Sequence, residues 1–187
     1  MLNNKLNINI FVISAIVLWF AIFVYWVIKS KNRGVVNEIT GLVKLLFSGL
    51  ILFLPAFFIV NFLSFKSLII TNIAGLTFVV FGFVICILAR EYLASNWSGK
   101  VTIQQKHSLI KNGPYKRIRH PIYSGVLLMM LGTGIITGNF LNFVWIIFCF
   151  FGLYRKSIQE EKLLRKEFSD EYENYQEQTK MLIPYIL

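Results

Sequence analysis

The stretch PIYSGVLLMMLGTGIITGNFLNFVWIIFCFFGLY (Pro121–Tyr154) decides the fold, because it has no charged residue and is far too long for one membrane-spanning helix. One helix crosses the apolar part of a bilayer with about 20 residues. Near the middle of the stretch, the turn-forming residues between Gly138 and Asn142 interrupt it. The sequence therefore predicts two antiparallel membrane helices, a helical hairpin, with Gly134 and Gly138 allowing the two helices to pack closely.

Three uncharged tracts of single-helix length precede this hairpin, at Ile8–Ile28, Leu45–Phe65 and Ser67–Ala89. The chain has 187 residues, of which 56% are hydrophobic, and its mean hydropathy is +0.64. Together these tracts predict an all-α integral membrane protein with five transmembrane helices, spans four and five being the hairpin. We expect no cleavable signal peptide, because the first tract ends in a plain charged loop rather than at a small-residue cleavage site.

The basic residues predict the orientation. All 19 Lys and Arg residues except Lys5 and Lys66 fall in the first loop, in the third loop or after the last span. The positive-inside rule then places the N-terminus outside and the C-terminus in the cytosol, in the cell membrane or the endoplasmic reticulum. Topogenic charge and anionic lipid heads explain the net charge of +10 without a nucleic acid. Cys86 and Cys149 fall inside spans and match no zinc spacing, so we expect buried thiols and no metal site.

Polar features are unevenly distributed along the chain. Residues 1–66 contain two spans and few polar features, and are interpreted as a membrane scaffold. Residues 67–187 contain three spans, a cytosolic loop at 90–120 and a helical tail at 155–187, hereafter the tail. Nearly every unusual polar group lies in this second part. No obligate protein partner is evident from the sequence.

Pro121 is predicted to begin the fourth span, because proline suits the first position of a helix and keeps the preceding His120 extended. The first free N–H donors of that helix would belong to Ile122, Tyr123 and Ser124. With basic residues beside it, this helix end is a candidate anion-binding site. The alternative is a simple interface anchor, which clusters of Arg, His and Tyr often form.

The tail offers an acidic surface opposite this helix end. If the fifth span continues past Tyr154, Lys156 and Glu160 lie on one helix face. Because the hairpin is antiparallel, we expect Glu160 close to His120 although 40 residues separate them in sequence. An amphipathic interfacial helix stabilised by Glu and Lys pairs is the alternative interpretation.

These motifs resemble the isoprenylcysteine carboxyl methyltransferase family of integral membrane enzymes, whose wider relatives include phospholipid N-methyltransferases. The similarity extends over about residues 90–187, in the family's order. The matching pieces are Asn96-Trp97-Ser98, His107 to Ile110, Gly113-Pro114-Tyr115, Arg119 to Tyr123, Glu160-Glu161 with Leu164, Phe168, Tyr172 with Tyr175, and Ile183-Pro184.

The resemblance implies an S-adenosyl-L-methionine cofactor held by the loop and the tail. The residues that it places in the cofactor pocket are His107, Ser108, Leu109, Ile110, Tyr115, His120, Pro121, Ile122, Tyr123 and Glu160. On the acceptor side, the family's arginine corresponds to Lys156, with Arg155 adjacent, and a planar guanidinium is not simply replaced by an ammonium. A second departure is Ser169, where the family usually has glycine. Tyr172, Tyr175 and Pro184 are expected to pack the tail back over the cytosolic face.

The implied reaction is methylation of a membrane-embedded, isoprenoid-like acceptor, with carboxyl O-methylation favoured over amine N-methylation of a phospholipid. A carboxylate is ionised at neutral pH and needs one cation, Lys156 or Arg155, to orient it. An amine is mostly protonated and needs a base such as Glu161 or Glu167. Both sets of residues are present.

Two other classes of protein remain open. Membrane sterol-type reductases share similar Gly-Pro-Tyr and Arg-His-Pro pieces but bind a nicotinamide cofactor. They usually have asparagine where this chain has Ile122, and many more spans. A non-catalytic membrane adaptor would bind lipid heads without any cofactor.

Overall fold

The computed structural model describes residues 2–31, 68–93 and 109–187. Its helices are α1 (Leu2–Lys31), α2 (Ile69–Leu93), α3 (Pro121–Thr137) and α4 (Phe140–Gln178), with a short 3-10 helix at Gly113–Lys116. This part of the chain contains no strand, only an isolated parallel bridge between Ile118 and Lys180. The all-α prediction is confirmed for the described residues, and the predicted span Leu45–Phe65 lies outside them.

Three of the described helices are long and apolar enough to cross a membrane: α1 over Ile10–Lys29, α2, and α4. Helix α3 is also apolar but has 17 residues, which corresponds to about 26 Å of helix. Several apolar helices of this length are typical of a multi-pass membrane protein.

The turn between α3 and α4 is built by Gly138 and by short polar side chains. Gly138 has a φ of 62°, a left-handed conformation that glycine adopts without strain. Asn139 Oδ1 accepts the backbone N–H two residues later at 3.0 Å, and Asn142 Nδ2 donates to Thr137 Oγ1 at 2.7 Å. A Cβ on Gly134 would lie 3.6 Å from Asn142 Cβ, so Gly134 packs against α4, as predicted, and Gly138 is buried in the turn.

The chain divides into two compact units, and the first contains the residues up to Phe83 together with Leu128–Ile147. Within this unit, Trp19 Nε1 donates to Thr133 Oγ1 at 3.1 Å. A Cβ on Gly75 would lie 2.8 Å from the carbonyl oxygen of Gly132. Because a clash with backbone cannot be relieved by a side-chain rotation, this approach of α2 and α3 requires glycine.

The second unit contains Val84–Leu127 and Phe148–Leu187. Within it, α4 breaks at Ser169, where φ is 42° and ψ is −121°. Tyr172 and Tyr175 follow this break and are buried, and Tyr175 Oη donates to the Tyr115 carbonyl at 2.6 Å. The two tyrosines therefore pack the tail against the loop, while the packing predicted for Pro184 is wrong, because its side chain is exposed.

The two cysteines are free thiols in different surroundings. Cys86 is buried, and its Sγ donates to the Ile122 carbonyl at 3.5 Å. Cys149 is only half-buried, so the prediction of two buried thiols is wrong for Cys149. It lies in the apolar part of α4, where one face of the helix carries exposed aromatic side chains such as Phe148 and Phe151.

Candidate active site

His120 lies between two carboxylates. Its Nδ1 is 3.4 Å from Glu160 Oε2. Its Nε2 is 3.3 Å from Glu161 Oε1, which is an ion-pair distance, but this second contact lacks the alignment of a hydrogen bond. The two glutamates are consecutive on α4, so their side chains leave the helix about 100° apart. A single imidazole, 7% exposed, contacts both of them. The structure thus brings His120 and Glu160 together, as the sequence predicts.

Glu160, Tyr123 and Lys156 form a half-exposed group that we call the open cluster. Tyr123 Oη donates to Glu160 Oε1 at 2.6 Å. The Tyr123 ring stacks on the His120 ring with 5.5 Å between centroids and 1° between planes. Lys156 Nζ lies 5.3 Å from the centroid of the Tyr123 ring, within the range of a cation–π interaction. The Glu160 side chain is 26% exposed, so this face remains accessible.

Arg119, Glu161, Gln176 and Thr179 form a buried group that we call the clamp. Arg119 Nε donates to Glu161 Oε1 at 2.7 Å, and Arg119 Nη1 donates to the Thr179 carbonyl at 2.6 Å and the Gln176 carbonyl at 3.2 Å. Gln176 Nε2 donates to Glu161 Oε2 at 2.7 Å. Both oxygens of Glu161 therefore have a donor, and the Arg119 and Glu161 side chains are only 10% and 8% exposed.

Backbone hydrogen bonds hold the end of the tail against the loop. The N–H of Arg119 donates to the Lys180 carbonyl at 2.8 Å, and the N–H of His120 donates to the Met181 carbonyl at 3.0 Å. In return, the N–H of Lys180 donates to the Arg117 carbonyl at 3.2 Å. The proline after His120 favours extended backbone there, which is the geometry that this pairing needs. The tail thus positions His120 through its backbone as well as through the clamp.

The electrostatic surroundings favour the charged forms of all three central groups. Burial by itself lowers the pKa of His120, but the contacts and charges of Glu160 and Glu161 outweigh it and raise the pKa above its ordinary value. Both carboxyl groups lie beyond Tyr154, where the apolar part of α4 ends. Burial raises their pKa values, but contacts with His120, together with Tyr123 for Glu160 and Arg119 for Glu161, lower them below the ordinary value.

The N-terminus of α3 differs from the prediction of three free donors. The N–H groups of Tyr123 and Ser124 donate to the His120 carbonyl at 3.1 and 3.2 Å. They are therefore occupied, and the prediction is wrong for these two residues. The His120 imidazole faces carboxylates, so it is not placed to attract an anion. The negative charge of the Glu160 carboxylate favours a cation or a hydroxyl group at this position instead.

The other predicted site residues are spread over the loop and the start of α3. Tyr115 and Pro121 are buried, while Leu109, Ile110 and Ile122 are half-buried. Arg155 and Lys156 are both exposed, and it is Lys156 that lies beside Tyr123. The predicted residues His107 and Ser108, like the Asn96-Trp97-Ser98 motif, lie outside the described residues.

Sequence reasoning missed the clamp. From the sequence, Arg119 is only one of the basic residues beside the start of α3, and Gln176 and Thr179 belong to no motif. Arg119 contacts main-chain carbonyl groups of both these residues. Every residue type has a main-chain carbonyl group, so these hydrogen bonds cannot be predicted from the residue types. The only signal in the sequence is that Arg119 is adjacent to His120.

The open cluster has groups that fit S-adenosylmethionine. Each carboxylate oxygen has two acceptor positions, and Glu160 uses one oxygen for Tyr123 and presents the other to His120. Glu160 can therefore still accept from a hydroxyl or an ammonium group. Lys156 beside the Tyr123 ring shows that a cation is stable there, which suits a sulfonium. The residues present thus match the cationic and diol parts of the cofactor.

Comparison with known proteins gives two kinds of match. The model of the family described as phospholipid methyltransferase matches residues 70–171, more than half of the chain. A probable protein-S-isoprenylcysteine O-methyltransferase from Oryza sativa subsp. indica is 34% identical over 115 residues, which are 60% of this chain and 60% of that protein. The protein-S-isoprenylcysteine O-methyltransferase of Schizosaccharomyces pombe is 35% identical over 83 residues, 43% of this chain and 34% of its own.

The Saccharomyces cerevisiae protein of the same name is 35% identical over 88 residues, 46% of this chain and 37% of its own. The chain spans about 60% of the length of the rice relative. The resemblance to isoprenylcysteine carboxyl methyltransferases is confirmed by these relatives, and the matched region contains the whole open cluster. The chain therefore belongs to the family described as phospholipid methyltransferase, and the relatives that it resembles are named protein-S-isoprenylcysteine O-methyltransferases.

Proposed function

We propose that this protein is an S-adenosylmethionine-dependent methyltransferase that methylates the carboxylate of a membrane-embedded, isoprenylcysteine-type acceptor. The observation that carries the proposal is the open cluster. It combines a partly exposed carboxylate, an electron-rich ring and an exposed ammonium group at the end of an apolar helix. The names of the relatives support the choice of acceptor.

Glu160 and Tyr123 are the residues that we assign to the cofactor. Glu160 is held in place by Tyr123 Oη and His120 Nδ1, so its remaining acceptor positions are preorganised for a hydroxyl or ammonium group. The bound cofactor supplies an activated methyl group. His107, Ser108, Leu109, Ile110 and Tyr115 complete the proposed pocket, as the family resemblance implies.

Lys156 is the residue that we assign to the acceptor. A carboxylate with an ordinary pKa near 4 is ionised at neutral pH and needs orientation rather than deprotonation. Lys156 is exposed, and its Nζ lies at the Tyr123 ring. This position supports a role for Lys156 in holding a carboxylate next to the proposed cofactor position, with Arg155 as the adjacent second cation.

The clamp supports the carboxylate over the amine as methyl acceptor. An amine needs a base, and Glu161 is a poor one because Arg119 and Gln176 occupy its two oxygens. The description of the matching family favours phospholipid amine methylation as the second candidate, for which the exposed Glu167 is the remaining base that the sequence offers.

We also propose that the tail faces the cytosol and that the acceptor approaches from the bilayer, because nearly all basic residues lie on that side. Membrane-impermeant maleimide applied to intact cells tests the orientation. In a C86A/C149A background, Phe140→Cys at the turn should be labelled and Glu173→Cys in the tail should not. The reverse pattern would contradict the proposal.

Cofactor binding is tested by calorimetry of the purified protein in a non-ionic detergent. We expect S-adenosylhomocysteine to bind, with affinity lost in Glu160→Gln and retained in Glu173→Gln, which removes an exposed carboxylate elsewhere on the tail. Binding of NADPH in place of S-adenosylhomocysteine would instead indicate a reductase.

Product chemistry tests the acceptor. The protein is incubated with methyl-labelled S-adenosylmethionine and either an S-farnesylcysteine with a free carboxylate or phosphatidylethanolamine. A methyl ester releases labelled methanol in base, whereas an N-methyl amine does not. We expect base-labile label on the farnesylcysteine only, and base-stable label on the phospholipid would establish the second candidate.

A further inference from the structure

An open basic cleft of about 140 Å3 lies between the 3-10 helix and the last turn of the tail. Its cationic side chains are Lys116, Arg117 and Lys180, against one acidic residue, Glu177. All three cations are exposed, and none forms an ion pair within the described part of the chain. None of them belongs to the open cluster or the clamp. The cations of this cleft therefore lie outside the residues that we assign to methyl transfer.

The rim of this cleft is apolar. Pro184 and Tyr185 line it, and Tyr185 and Ile186 are 81% and 76% exposed. Tyr185 has a φ of 66°, a left-handed conformation that costs a tyrosine free energy. Large exposed apolar side chains next to cations are typical of a surface that rests at the boundary between headgroups and acyl chains.

We propose that this cleft binds the phosphate group of an anionic phospholipid, with Tyr185 and Ile186 inserted into the adjacent bilayer boundary. Lys116, Arg117 and Lys180 supply the charge for the phosphate. Free phosphate and acidic peptides share the charge but have no use for the apolar rim. The rim therefore selects the lipid among the anions.

The cleft is connected to the candidate active site through the backbone. The N–H of Lys180 donates to the Arg117 carbonyl, and the Lys180 carbonyl accepts from the N–H of Arg119. A phosphate bridging the side chains of Arg117 and Lys180 would tie together the two paired backbone segments that position His120. Because a ligand that binds only the folded chain stabilises it, the lipid supports the site without entering it.

The test measures binding to the full chain in a non-ionic detergent, by microscale thermophoresis. The probes are dihexanoyl phosphatidylglycerol, dihexanoyl phosphatidylcholine and inorganic phosphate. We expect the phosphatidylglycerol to bind at least tenfold more tightly than the other two. The variant R117Q/K180Q should lose at least tenfold in affinity, while K162Q/K166Q, which removes two exposed tail cations elsewhere, should stay within twofold.

A second variant tests the apolar rim. Y185S/I186S should weaken phosphatidylglycerol binding severalfold and leave phosphate binding unchanged. Thermal unfolding without lipid serves as the folding control for each variant. Equal losses in the two charge variants, or phosphate binding as tight as phosphatidylglycerol binding, would overturn the proposal. This result is independent of whether the protein transfers methyl groups.

Discussion

Glu161 is 8% exposed and accepts hydrogen bonds on both oxygens, whereas Glu160, one residue earlier on the same helix, is 26% exposed and keeps acceptor capacity. Both lie against His120. The clamp around Glu161 consists of intramolecular contacts, and the open cluster around Glu160 faces outward. A buried ion pair costs desolvation and must be fully satisfied, while a binding carboxylate must stay partly unsatisfied. The helix separates these two requirements by its 100° turn per residue.

The largest expected effect is a loss of stability when a substitution breaks the clamp. Arg119→Met keeps side-chain volume but leaves Glu161 buried without the Arg119 guanidinium, the nearer of its two cationic neighbours, which should lower the free energy of unfolding by about 3–5 kcal/mol. Chemical unfolding in detergent measures this. The matched control is Arg117→Met, an exposed residue of the same loop, which should change stability by less than about 0.5 kcal/mol. Similar losses in both variants would show that the clamp does not stabilise the fold.

The second prediction compares the two glutamates directly. Glu160→Gln should weaken S-adenosylhomocysteine binding by about 10–100-fold, since a hydrogen bond to a charged group contributes about 1.5–3 kcal/mol. Its unfolding free energy should fall less than that of Glu161→Gln, because the Glu160 side chain is 26% exposed. Glu161→Gln should show the opposite pattern, with a clear loss of unfolding free energy. Calorimetry and unfolding of both variants separate the two roles, and a stability loss that is larger for Glu160→Gln would reverse the assignment.

The third prediction uses pH, because His120 contacts one glutamate of the open cluster and one of the clamp. Its pKa is raised above the ordinary value of 6.5, so its contribution is fully present below about 6.5 and is lost as pH rises through the folded pKa. The pKa values of Glu160 and Glu161 are lowered below 4.5, so their contribution is lost as pH falls through the folded pKa. Stability should therefore be highest between about 4.5 and 6.5.

His120→Gln sharpens this pH prediction. It should remove the decline of stability on the alkaline side and leave the decline on the acid side in place. Unfolding measured at several pH values checks both limbs. An unchanged alkaline decline in His120→Gln would mean that another group causes it.

The smallest predicted effect comes from relieving backbone strain at Ser169, outside the clamp. Ser169 adopts a φ of 42°, which glycine tolerates and other residues adopt with strain. Ser169→Gly should therefore raise the unfolding free energy by about 1 kcal/mol without changing cofactor affinity. Lys166→Gly, an exposed position in the same helix, should instead destabilise by about 0.5–1 kcal/mol. Destabilisation by both changes would show that Ser169 is not strained.

The sequence predicts most of the open cluster and little of the clamp, for a physical reason. Apolar runs mark the described spans, and the i, i+4 spacing places Lys156 and Glu160 on one face. The clamp depends on the break at Ser169 and on main-chain carbonyl groups in the tail. A serine does not predict a left-handed backbone conformation, and every residue type has a main-chain carbonyl group. The occupied N–H groups of Tyr123 and Ser124 were missed because helix ends close on the nearest carbonyl, here that of His120.

Arg119 contacts residues that lie far from it in sequence, and this separation has a consequence for biosynthesis. Its carbonyl partners lie 57 and 60 residues later, beyond both α3 and most of α4. During synthesis, Arg119 therefore cannot complete its contacts until Thr179 has been made. A chain arrested after residue 170 should be cleaved by trypsin at Arg119, while the full chain resists cleavage there. Helix α3 and most of α4 are thus synthesised before the clamp can form.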